Sequence, residues 1–190
     1  MSAEKHAKLY FGGVAAEGDI THKRAAIGDD GVGRCAGAGF VLVMGGHERT
    51  VCMTVLGPQS QATAEYAALL AGLRMAYLSR VTHLVAECTS AAVVEEMRMG
   101  TIAEARPAAI HEKCMGYVRR FVNVDFWQGS SNDTIAAINH ADESAMKGYD
   151  MLMGYEQGID GSQFLAAALL PQPKGLSVSE DGQTYTMRFK

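Results

Sequence analysis

The stretch Thr63-Ala64-Glu65-Tyr66-Ala67-Ala68-Leu69-Leu70-Ala71-Gly72-Leu73-Arg74-Met75-Ala76 decides how the chain is read. It is rich in strong helix formers. Its apolar residues Tyr66, Leu69, Leu70, Leu73 and Tyr77 recur three or four apart, so the spacing predicts an amphipathic helix running to about Ser79. Glu65 lies one turn before Leu69, which puts its carboxylate on or beside the buried face. A carboxylate there costs desolvation energy unless something pairs with it. Taken alone, Glu65 reads as a rim glutamate that reaches water, because glutamate is seldom fully buried without a partner. The segments on either side change that reading.

Upstream, Lys8-Leu9-Tyr10-Phe11 reads as a strand stopped by Gly12-Gly13. Residues 15 to 37 hold Gly18-Asp19, Gly28-Asp29-Asp30-Gly31 and Gly33, a turn-rich connection long for a plain hairpin. Gly39 to Val43 and Arg49 to Leu56 read as two strands around Gly45-Gly46-His47, with Gly57-Pro58 ending the second. Downstream, Val81 to Glu87 has the short apolar character of a strand buried on both faces. Thr89 or Ser90 caps an expected helix from Ala91 to Met99, and Pro107 precedes another, about Ala108 to Arg119. Phe121 to Trp127 alternates as a strand. Gly129-Ser130-Ser131-Asn132-Asp133 supplies a turn and an N-cap for a helix from Thr134 to about Leu152.

The order is three strands, helix, strand, two helices, strand, helix. Together with the run Thr63, Ala64-Glu65-Tyr66 and Leu70-Ala71-Gly72-Leu73, it resembles the ribonuclease H family over residues 8 to about 152. The resemblance implies an α/β fold with a mixed five-stranded sheet flanked by helices, a domain over 8–152 and a C-terminal extension over 153–190. It also implies a role for Glu65. In that family the matching glutamate joins three aspartates in holding two magnesium ions. One aspartate is on the first strand, one at the end of the fourth and one near the start of the last helix.

The frame around those three positions is present, and the aspartates are not. Tyr10-Phe11-Gly12-Gly13 matches the family's Tyr-x-Asp-Gly, with Gly12 at the acid position. Leu84 to Val94 aligns with the family's strand, Asp-Ser and apolar pair, with Thr89 in place of the aspartate. Glu87 lies two residues earlier and, if the strand is still extended there, on the same face, which makes it a possible substitute. At the fourth position, a gapless match to Asn-x-x-Ala-Asp uses Asn132 as cap and places Ala136 at the acid. A six-residue insertion would instead use Asn139-His140-Ala141-Asp142 and supply Asp142. The cap chemistry of Ser131, Asn132 and Asp133 favours Ala136, and Asp142 would sit more than two turns into the helix, on another face. Glu65 is the one acid matched. Asp19 lies beyond the first strand, in a turn.

Composition bounds what remains. The chain has 190 residues, 48% hydrophobic, and a formal net charge of -4. That is enough apolar content for a core, and the negative balance argues against tight non-specific binding of nucleic acid. Arg98, Arg106, Lys113, Arg119 and Arg120 form a local basic excess over the two middle helices. In the family that region can contact the backbone of a hybrid, while its plain reading is a solvated helical face. Cys35, Cys52, Cys88 and Cys114 form no C-x-x-C pair and no zinc-finger spacing with histidine, so buried reduced thiols of an intracellular protein, cytoplasmic or organellar, are expected. No apolar run is long enough for a membrane span, and Met1 to Lys8 is unlike a secretory signal. His140, close to Asp142, reads as an exposed helix residue, and Phe126 and Trp127 read as core. Gly161 to Leu170 could form a short helix. Gln183 to Lys190 alternates like a terminal strand able to join a partner or the domain's own edge.

The expected function is a ribonuclease H-like domain without catalysis: a binding or scaffold subunit, needing no cofactor and no metal. Its expected partners are proteins of a larger assembly, with RNA as a further candidate and no membrane. The alternative is a metal-dependent ribonuclease cleaving the RNA of RNA-DNA hybrids with magnesium held by Glu65, Glu87, Asp142 and Asp19.

Overall fold

Ser60 starts the central helix. Its hydroxyl accepts a hydrogen bond from the Thr63 amide at 3.2 Å and lies 2.9 Å from the Thr63 hydroxyl, satisfying amides that a helix start leaves open. The helix, α1 (Gln61–Leu78), buries Tyr66, Ala68, Leu69, Gly72, Leu73 and Ala76. A computed structural model of the chain describes residues 4–16, 32–45, 48–103, 107–156, 176–178 and 184–189. The strands are β1 (His6–Ala16), β2 (Val32–Met44), β3 (Glu48–Ser60), β4 (His83–Cys88), β5 (Asn123–Gln128), β6 (Leu176–Val178) and β7 (Thr184–Phe189). The other helices are α2 (Ala91–Met99), α3 (Ala108–Val118) and α4 (Asn132–Glu156).

The strands form one sheet in the order β5-β4-β1-β2-β3-β7-β6. β1, β2 and β3 pair antiparallel, and β4 and β5 add parallel on the other side of β1. These five strands make the mixed sheet that the family resemblance implies. β7 continues it antiparallel along β3, from Thr54↔Thr184 to Arg49↔Phe189, so the terminal strand joins the domain's own edge. The three-residue β6, not anticipated, pairs with β7. The short helix expected at 161–170 lies outside the described residues.

Residues of β1 alternate between two helical layers, as the two-residue period of a strand requires. Leu9 and Phe11 join the larger core with Tyr66, Leu69 and Leu73 of α1, together with Val94, Met97 and Cys114 of α2 and α3. Tyr10 faces the other way, in a smaller cluster with Val41 and with Ala137 of α4. All four cysteines are buried, and burial pushes the thiols of Cys88 and Cys114 up to about 12, which leaves them inert.

Three boundaries correct the sequence reading, in β1, in β3 and in β2, which begins at Val32 within the expected 15–37 connection rather than at Gly39. Gly12-Gly13 does not stop β1, which runs on to Ala16. The glycines are where the helices come down on the sheet. A Cβ on Gly13 would strike the backbone of Ala64 and Glu65 in α1. One on Gly12 would meet Ile138 of α4, and Gly37 and Gly39 of β2 leave the same room for Ala137, Ala141 and Ala145. A glycine inside a strand marks a close backbone approach as readily as a turn. Likewise β3 continues through Gly57-Pro58 to Ser60, alongside the shift in β2–β3 register between Gly33 and Gly37; a proline is tolerated at such an irregularity.

Candidate functional site

Glu65 stands in the first turns of α1, against the strand segment that holds Gly12 and Gly13. Gln61, one turn earlier, ties the two together. Its Nε2 donates to the Gly13 carbonyl at 2.6 Å and to Glu65 Oε1 at 3.0 Å, while its Oε1 accepts from the Ala15 amide at 2.9 Å. Burial raises the Glu65 carboxyl above its ordinary value, and hydrogen bonds from Gln61 and Ser90 oppose the rise. Ser90 is the N-cap of α2. The carboxylate therefore sits between the glycine pair of β1 and the C-terminal end of β4.

The residues at the other three matched positions are placed as follows. Gly12 is buried, and the point where its side chain would begin is occupied: a Cβ there would lie 2.5 Å from Ile138 Cγ1. Thr89 is exposed just past the end of β4, and its carbonyl accepts from Gln128 Nε2 at 3.3 Å. Ala136 packs beside Tyr10, Val41 and Ala137.

Neither proposed substitute joins Glu65. Glu87 is on β4 opposite Tyr10, on the α4 side of the sheet, whereas its neighbours Ala86 and Cys88 belong to the α1 core. Its Oε1 accepts from the Thr134 hydroxyl at 2.6 Å and from the Ser131 amide at 3.0 Å. Partial burial would raise this carboxyl, but the bonds from Thr134 and Ser131, with the Lys8 charge, outweigh it and hold it below its ordinary value. Glu87 thus anchors the start of α4, where Ser131 also caps the Thr134 amide. Asp142 is exposed on α4. Among the described residues Glu65, Glu87 and Asp142 do not form a group of donors within 4.8 Å of one another. Asp19 lies outside the described residues.

The basic excess is divided in the same way. Arg98 donates to the Phe126 carbonyl from Nε at 2.9 Å and from a second guanidinium nitrogen. Arg120 lies over the rings of Tyr77 and Tyr117, at 5.3 and 5.1 Å. Lys113 and Arg119 are exposed, and Arg106 lies outside the described residues. Trp127 and Phe126, both expected in the core, separate: Phe126 is buried and Trp127 is 57% exposed. His140 is half-buried rather than exposed, with Nδ1 4.0 Å from Glu143. Sequence reasoning did not single out Gln61, whose signal is its place one turn before Glu65. It also passed over Glu96, which accepts from the buried Tyr66 hydroxyl at 2.6 Å, and Arg49, which pairs with Asp133 in the first turn of α4.

A family model described as reverse transcriptase-like, of the ribonuclease H-like kind, matches residues 30–137. The chain belongs to this ribonuclease H-like family. Its fold is similar to the N-terminal RNase H domain of a Mycobacterium tuberculosis protein solved as a fusion with maltose-binding protein. That domain is 17% identical with a TM-score of 0.65, over 77% of this chain and 98% of that one. RNase H1 of the archaeon Halobacterium salinarum is 18% identical with a TM-score of 0.57, over 76% and 98%. LC11-RNase H1, isolated from compost and solved with an RNA/DNA hybrid, is 17% identical with a TM-score of 0.61, over 75% and 99%. No curated protein matches the sequence. At these identities the likeness is one of fold, and the ribonuclease H-like chain must be judged on its own side chains. No helix among the described residues is long and apolar enough to cross a membrane.

Proposed function

We propose that this ribonuclease H-like domain carries out no hydrolysis and serves as a binding and scaffold subunit, held by protein partners in a larger RNA-containing assembly. The observation that carries the proposal is the occupation of the family's acid positions: Gly12 roofed by Ile138, Thr89 at the surface, Ala136 in an apolar cluster. Two-metal hydrolysis needs carboxylates that converge from separate elements on ions a few ångströms apart. Here Glu65 is alone. Its neighbour Gln61 gives it an amide donor rather than a second carboxylate, and burial favours its protonated form. These residues do not fit a pair of magnesium ions.

The scaffold role draws support from what the domain keeps and exposes. The frame is intact, and large apolar side chains stand in solvent on it: Val122 and Trp127 flank or lie on the edge strand β5, Met99 ends α2, and Leu78 ends α1. The net charge of -4 and the engagement of Arg98 and Arg120 weigh against phosphate contacts as the main source of affinity. The relative solved with an RNA/DNA hybrid makes that hybrid the nucleic acid to test.

Magnesium calorimetry on the full chain and on Glu65→Gln tests the reading. No magnesium binding that depends on Glu65 is expected. Magnesium uptake by the wild type that disappears in the variant would overturn it.

A further inference from the structure

At the opposite end of β1 from Gly12, three metal-capable side chains meet. His6 opens β1 and His83 opens β4, and the two are direct partners in the parallel register. Their rings stack at 4.7 Å between centroids with 23° between planes. Glu4 Oε2 lies 3.6 Å from His6 Nε2. One ligand atom from each of the three lies within 4.8 Å of the others, and this is the only such trio found among the described residues. Six residue steps along the strand separate His6 from Gly12, roughly 20 Å, so nothing here rests on the acids around Glu65.

We propose that Glu4, His6 and His83 form a zinc site. Donors around a tetrahedral zinc ion with bonds of about 2.0–2.2 Å stand about 3.4 Å apart. The Glu4–His6 pair is already at that spacing. The remaining approach needs only side-chain rotation, and Glu4 and His6 are exposed enough to make it, at 73% and 66%. Two imidazoles and a carboxylate suit a borderline ion and not magnesium, which takes oxygen ligands.

The surroundings orient the donors. Thr82 Oγ1 lies 3.1 Å from His83 Nδ1 and 3.2 Å from the Lys5 carbonyl, and it accepts from the Lys5 amide. When the hydroxyl proton goes to the Lys5 carbonyl, His83 donates from Nδ1 and its Nε2 lone pair is left for the metal, the arrangement usual for a ligating histidine. Lys5 itself is turned away, its Nζ on the Ser79 carbonyl at 2.9 Å. Three protein ligands leave the fourth position open. His6 and His83 also line an open groove of about 660 Å³ together with Lys8, Tyr10, Val85 and Asp125, so water or a small ligand can reach that position. A bound ion would clamp the start of β1 to β4.

The test is zinc titration of the full chain by calorimetry, with histidine ring shifts followed by nuclear magnetic resonance in the same protein. The expected result is one zinc per chain, with shifts at His6 and His83 and not at His140. His6→Ala and His83→Ala each weaken binding at least tenfold, Glu4→Gln weakens it less, and His140→Ala leaves it unchanged. No zinc uptake at sub-millimolar concentration would overturn the proposal. So would uptake that survives both His6→Ala and His83→Ala, or ring shifts confined to other histidines. The ring shifts need no variant, so the result stands even if a substitution impairs folding.

Discussion

Gly12→Asp puts back the residue type that the family carries at this point of its first strand, and it should lower stability without returning chemistry. A Cβ at Gly12 would lie 2.5 Å from Ile138 Cγ1, 3.2 Å from its Cα and 3.3 Å from its N, where ordinary contact begins at 3.4 Å. Cγ1 must therefore retreat by about 0.9 Å. It is bonded directly to Cβ, so the retreat requires a new rotamer or a shift of α4. The helix has little freedom to shift, because Ala137 and Ala141 are seated on Gly39 and Gly37. Overpacking of this kind costs about 1–3 kcal/mol, and a carboxylate brought into a buried position adds its desolvation. We expect a total loss of about 3 kcal/mol, a large part of the ~5–15 kcal/mol that holds a domain together. Urea unfolding at neutral pH measures the loss, and hybrid cleavage in magnesium measures activity. A loss below about 1 kcal/mol would refute the packing argument. Magnesium-dependent cleavage by the variant would refute the claim that Thr89 and Ala136 leave the site beyond rescue by one acid.

Other substitutions probe the same geometry. Burial raises the Glu65 carboxyl, so the folded state binds its proton more tightly than the unfolded chain does; wild-type stability then falls as pH rises from the unfolded value near ~4.3 to the raised folded value. Glu65→Gln removes that fall and should be the more stable protein at neutral pH, with a flatter dependence of stability on pH between the two values, read from unfolding curves across pH. Glu87 has the opposite sign: its lowered value contributes stability above the unfolded carboxyl range, and this is lost as pH falls through the folded value. Glu87→Ala should cost about 1 kcal/mol at neutral pH, since water can replace part of what Ser131 and Thr134 lose, and it should show as faster amide exchange in the first turn of α4. Gly13→Ala drives a methyl into the backbone of α1 and should cost ~3 kcal/mol or more. Gly116→Ala, inside α3 with nothing within 4 Å, should add about 0.5–1 kcal/mol in the same denaturant assay.

Local signals were readable wherever one element carried them. The apolar stripe of α1 and the cap before α2 placed those helices: Ala91–Met99 falls where a cap at Thr89 or Ser90 predicts, and Ser90 is the residue that caps it. The alternation near the C-terminus marked β7, while β6, three residues long, has no period to read. Long-range facts were not legible. Gly12-Gly13 reads equally as a turn or as a helix seat, and only the packing of α1 and α4 decides. Glu87 meets Ser131 and Thr134 across more than forty residues, so its role as an anchor for α4 has no local mark. Counting charges found Arg98 and Arg120 but not the carbonyl and tyrosine rings that hold them. The pairing of His6 with His83 depends on the register of two parallel strands, which no spacing rule supplies.

The absence of catalysis is tested most directly by incubating the purified full chain with an RNA-DNA hybrid in magnesium and, separately, in manganese, beside Glu65→Gln prepared identically. The occupation of the acid positions predicts no cleavage above that of the variant in either metal. Cleavage by the wild type that Glu65→Gln abolishes would contradict it, and would mean that other acids of this chain complete a working metal site.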